Sequence, residues 1–118
     1  MQKSEKKTTQ EEEIRARAYE IIGLALVSIS NSTRAEITKY IQKHKSATFE
    51  ELRSVFNLNN NTLSFHLKKL QEGYVISQSE ERGPYALGEL GELMLRALDG
   101  LEGKAPSILK HIIAHEIL

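Results

Sequence analysis

The sequence has no cysteine. That removes disulfides, thiolate zinc sites and cysteine nucleophiles at once, and it fits a reducing compartment. Long hydrophobic runs are also missing. The longest nearly apolar stretch, Ile21 to Ile29, is about half of what a membrane span needs. The segment Met1 to Glu13 is rich in Lys, Glu, Gln and Thr, with no apolar stretch where a secretory signal would carry one. The expectation is a soluble, cytoplasmic protein with no membrane partner. Net charge of either sign is absent too: 16 basic residues balance 16 acidic ones. A nucleic-acid partner would therefore depend on how charge is distributed. From Thr33 to Glu72 seven bases face four acids, so the middle of the chain is net +3. Finally, there is no Gly-rich phosphate loop, no nucleophile with a base at a known spacing and no convincing ligand set, which argues against an enzyme and against a cofactor.

The 118 residues fit one domain, and a composition of 40% hydrophobic and 27% charged residues is that of a globular chain. Residues 1–10 are polar and without periodicity, and read as a disordered tail. A helix is expected over 11–29. Its first half is amphipathic, with Ile14, Ala18, Ile21 and Ile22 on one face. Its second half is apolar all round and must be covered on every side, either by its own chain or by a second subunit.

Thr33-Arg-Ala-Glu36 has the form of a capping box, opening a helix to about Lys45 with Ile37, Tyr40 and Ile41 inward. Ser46–Thr48 is long enough only for a bridge. A second capping box, Thr48 to Glu51, opens a short helix with Phe49, Leu52, Val55 and Phe56 as its apolar set. Asn57–Asn61 suit a turn. The next helix is expected over 59–72, ending at Gly73. A strand over 74–79, a turn over 80–83 and a returning strand over 84–87 follow. The chain then reads as a helix over 88–98, a Gly-containing connector over 99–105 and a last helix over 106–118.

Two helices joined by a tight turn and followed at once by a hairpin form a helix-turn-helix with a wing. The expected fold is mainly α with a small β-hairpin wing: one winged helix-turn-helix domain over 11–118. It divides into an N-terminal helix (11–30), the helix-turn-helix and wing (33–88) and C-terminal helices (89–118). In the 59–72 helix, Leu63, Leu67 and Leu70 fall together and face the core. The opposite stripe collects Asn61, Ser64, Phe65, Lys68 and Glu72. Asn can bond adenine, Ser a base or phosphate, and Phe can touch a thymine methyl; the alternative is that Phe65 packs on the wing. Arg82 at the wing tip could meet phosphate or the minor groove, or pair with Glu80 and Glu81.

The stretch FNLNNNTLSFHLKKLQEGYVIS, with the following YALGELGELML, resembles the ArsR-type and related MarR-type winged-helix regulators over about residues 33–98. The shared frame is Ser64, His66, Leu67, Leu70 and Gly73. The resemblance implies DNA contacts at Asn60, Asn61, Thr62, Ser64 and Phe65, to which Lys68, Lys69 and Arg82 are added as basic candidates. His66, beside the core stripe, reads as a structural histidine.

His111 and His115 stand at i, i+4 on the last helix, the spacing of a metal pair, but they supply half a site and no metal is assigned. Ile108, Leu109, Ile112, Ile113 and Ile117 give that helix a broad apolar face. Together with helix 11–29 it suggests a homodimer on double-stranded DNA, with helix 59–72 in the major groove. The competing reading is a winged helix that binds protein in a transcription or other assembly.

Overall fold

The computed structural model describes the backbone of residues 2–104 and 106–117, and the side chains of 9–101, 103 and 107–117. The element order is α1 (Gln2–Ile29), α2 (Ser32–His44), α3 (Phe49–Phe56), α4 (Asn60–Glu72), β1 (Ile76–Gln78), β2 (Tyr85–Leu87), α5 (Glu89–Lys104) and α6 (Pro106–Ile117).

Several boundaries differ from those the sequence suggests, and the strands, expected over 74–79 and 84–87, are shorter. Residues 2–10, expected as a disordered tail, belong to α1; they contain no Gly or Pro, and Gln, Lys and Glu are good helix formers. Met1, Ala105 and Leu118 lie outside the described residues. The Thr33–Glu36 capping box does not form. Asn31 is the N-cap of α2 and its side chain accepts from the Arg34 backbone N–H, so helix begins at Ser32; Asn stands among the best N-caps. The connector expected over 99–105 is helical through Lys104. Gly100 and Gly103 weaken that helix without breaking it.

The second capping box forms in full, with the Thr48 side chain accepting from Glu51 N–H and the Glu51 carboxylate from Thr48 N–H. The other Glu51 oxygen accepts from the Tyr40 hydroxyl at 2.6 Å, tying α3 to α2. β1 and β2 pair antiparallel in the register Ile76–Leu87, Ser77–Ala86 and Gln78–Tyr85. Ala47 bridges the free edge of Tyr85 with two backbone bonds. The core gathers Ile37 and Ile41 of α2, Leu52 of α3, Leu63, Leu67 and Leu70 of α4, and Val75, Ile76 and Tyr85 of the hairpin. Ala25 closes it from α1. Val55, expected inward, is exposed, because Leu52 alone of α3 is fully buried and the helix is short. The fold is a winged helix-turn-helix, mainly helical with a two-stranded hairpin.

Two glycines permit close packing. A Cβ on Gly73 would lie 2.3 Å from Ser28 Oγ and 3.0 Å from the Leu24 carbonyl oxygen, so the end of α4 rests directly on α1. The left-handed residue after α4 is Tyr74, with φ 61°. A Cβ on Gly91 would lie 2.2 Å from the Val75 carbonyl oxygen, which seats α5 against the start of the hairpin.

The outer helices are largely uncovered. Side chains 9–20 of α1 are all exposed. Further along α1, Ala25, Ser28 and Ile29 are buried while Leu24, Leu26 and Val27 are not, so the chain covers one side only. Every described side chain of α6 is exposed. The radius of gyration is 18.0 Å, against about 13.5 Å for a compact chain of this length. The accessible surface is 8947 Å², against roughly 6,500 Å² for a compact monomer of this mass.

Candidate nucleic-acid interface

The α3–α4 turn is built from asparagines. Asn57 ends α3 in the left-handed conformation at φ 50°, and its N–H returns to Arg53 and Ser54 carbonyls. Two residues on, Asn59 caps α4, its side chain accepting from Thr62 N–H at 2.8 Å. The turn is therefore 57–59, and Asn60 and Asn61, where the turn and helix expected from the sequence overlap, lie in the first turn of α4. Asn59 was not among the candidate residues; the preference of Asn for N-caps is the signal that marks it.

With Leu63, Leu67 and Leu70 buried, α4 has a fixed rotation. Asn60, Asn61, Ser64, Phe65, Lys68, Lys69 and Glu72 are exposed, and Thr62 is half-buried at the margin. Phe65 is 55% exposed. The Lys69 ammonium lies 5.6 Å from its ring centroid, a cation–π contact that keeps a positive charge over the ring. Seven of the eight candidate residues thus lie on one helix, six of them exposed.

The eighth, Arg82, is exposed at the hairpin turn with φ 63°. Among the described residues it forms no ion pair with Glu80 or Glu81. Gln78 Nε2 donates to the Gly83 carbonyl at 2.8 Å, and Gln71 of α4 reaches Gln78 at 3.5 Å, so the wing turn is tethered toward α4.

Residues 29–77 match the family model of a helix-turn-helix domain. The match runs from the last residue of α1 through the first two residues of β1, so it covers the helix pair, its turn and the entry to the wing. No curated protein matches the chain.

Charge around the stripe is mixed. Arg53, on α3, is held by Glu50 at 2.9 Å, and that bond holds the Glu50 carboxyl below the usual carboxylate range. Lys68, Lys69 and Arg82 supply the positive groups near α4 and the wing, with Glu72, Glu80 and Glu81 against them. His66 is half-buried and faces Arg34, whose Nη1 lies 3.2 Å from its Nδ1. Burial, and then the Arg34 charge, hold its pKa below that of free imidazole. No sequence signal marks this pair, since nothing periodic links positions 34 and 66.

On α6, the His111 and His115 rings meet edge to face at 4.8 Å. Among the described residues no group of three or more His, Asp or Glu could hold a metal ion, and no helix is long and apolar enough to cross a membrane.

Proposed function

We propose that the protein is a cytoplasmic, sequence-specific DNA-binding transcriptional regulator of the ArsR/MarR-like kind. It acts as a homodimer that places α4 in the major groove, and it binds rather than catalyses. The observation that carries this reading is the exposed stripe of α4, where short polar side chains and a cation flank an uncovered Phe on a helix of fixed rotation. Such a set matches base edges and the thymine methyl. The helix-turn-helix match over 29–77 supports the same reading.

The dimer draws on the uncovered helices. About 2,400 Å² of surface beyond that of a compact monomer is of the size that permanent subunit contacts bury. The apolar faces of α1 and α6, expected as helices over 11–29 and 106–118, form the seam. Two α4 helices about 34 Å apart would then read a pseudo-palindrome.

The test is titration with duplex DNA selected from a random pool, at about 50 and 200 mM salt. Affinity should fall steeply, by roughly a thousandfold for a dimer meeting six or more phosphates. Absence of binding to any duplex at low salt would defeat the proposal. It would favour the protein-binding winged helix, which draws on the zero net charge.

A further inference from the structure

Arg34 stands between two helices to which it does not belong. It lies in the first turn of α2, half-buried. Its Nε donates to the Ser28 carbonyl at 2.5 Å. That oxygen lies in the last turn of α1, where carbonyls have no intrahelical partner. Its Nη1 reaches His66 Nδ1 on α4 at 3.2 Å. A guanidinium only donates, so Nδ1 accepts and the ring proton sits on Nε2. Only a planar fork with several N–H groups serves two acceptors on different helices in this way; a lysine ammonium does not.

Ser28 meets α4 at a second place, the close approach of Gly73. The end of α1 therefore holds α4 at His66 through Arg34 and at Gly73 directly. These points are about 10 Å apart along the helix axis. Two anchors on one rod set its tilt. The His66 ring, in turn, lies edge-on to Phe65 with centroids 5.8 Å apart, so the bridge ends beside the exposed stripe.

We propose that Arg34 is a positioning residue: by bonding the end of α1 and His66 together, it sets the tilt at which α4 presents Asn61, Ser64, Phe65 and Lys68 to a DNA groove. The proposal rests on the DNA reading above, and it needs no contact between DNA and either Arg34 or His66.

The experiment uses the full chain, the duplex selected by the unaltered protein and a scrambled duplex. Arg34→Lys, which keeps the charge, and His66→Leu should each weaken the selected duplex about tenfold, the scale of one hydrogen bond to a charged group. Binding to the scrambled duplex should not change. In His66→Asn the amide oxygen falls close to the place of Nδ1, and affinity should stay within about twofold. The double variant Arg34→Lys/His66→Leu should be no weaker than either single one, because both remove the same bond. If the two duplexes lose affinity together in step with the folded fraction, or if His66→Asn is as weak as His66→Leu, the proposal is overturned. The His66 substitutions preserve the test if Arg34→Lys fails to fold. Failure of the unaltered protein to select any duplex would defeat the DNA reading instead. The bridge is then read by the NMR titration of the His66 ring, whose midpoint should rise in Arg34→Gln; an unmoved midpoint overturns it.

Discussion

A phenylalanine ring more than half exposed on a rigid helix does little for the fold that carries it. Phe65 leans on Lys69 and His66, its neighbours on α4, and contributes nothing to the buried cluster. Phe65→Ala should leave the thermal midpoint nearly unchanged, since the lost cation–π contact is worth only about 0.5–1 kcal/mol at an exposed site. In a groove the ring would be desolvated against a base. The same substitution should then weaken the selected duplex by about tenfold or more. Calorimetry and fluorescence titration of one preparation check both halves; unfolding would instead return Phe65 to the core. His66 behaves oppositely, because its role is internal. Its folded pKa lies below the ordinary imidazole value, so the unfolded chain takes up a proton first as pH falls. The stability it contributes is full above about pH 6.5 and is lost as pH falls through its folded pKa. Thermal unfolding at about pH 7.5 and 5 should show a larger drop for the unaltered protein than for His66→Asn, which cannot titrate in that range.

At the scale of elements, legibility followed the range of the interaction. The α4 rotation was readable because Leu63, Leu67 and Leu70 repeat at helical spacing, and the start of α3 because Thr48 and Glu51 are three residues apart. The start of α2 is not legible in the Thr33–Glu36 spacing, since Asn31 caps the helix two residues earlier by accepting from the Arg34 N–H, and Thr33 then lies inside the helix. The candidate stripe was legible for the same periodic reason. Arg34 was not, because its partners at 28 and 66 meet it only in three dimensions. The end of α5 is not legible, because Gly100 and Gly103 read as a stop while the helix runs on to Lys104. Among the described residues a Cβ at either would meet nothing within 4 Å, so neither glycine serves packing there. Gly100→Ala and Gly103→Ala should each stabilise α5, by up to about 1 kcal/mol. Helical content and thermal midpoint should both rise by small amounts; a fall in both would mean that the segment needs its glycines as a connector.

At the scale of the whole molecule, the shape is the argument. The body of the winged helix is compact, yet the chain extends to 60 × 45 × 23 Å. α1, about 42 Å long, carries Ile14, Ala18 and Ile21 on the face that holds the buried Ala25 further along, yet Ile14 and Ala18 are exposed and Ile21 only half-buried. α6 brings Ile108, Leu109, Ile112, Ile113 and Ile117, all exposed, to the other end of the sequence. Two helices that leave this many large apolar side chains exposed are unusual on a monomer. Because these side chains are uncovered in the single chain, charging them should cost its fold little. Val27→Glu and Ile112→Glu should therefore leave each protomer folded while turning a dimer into a monomer by sedimentation at micromolar concentration. Operator affinity should fall by far more than any single base contact could account for, since one half-site is then bound without its partner. A chain already monomeric before substitution would remove the dimer from the proposal and leave α4 to bind a single half-site. A monomer that binds DNA as well after the substitutions as before would place the function of α1 and α6 outside DNA binding altogether.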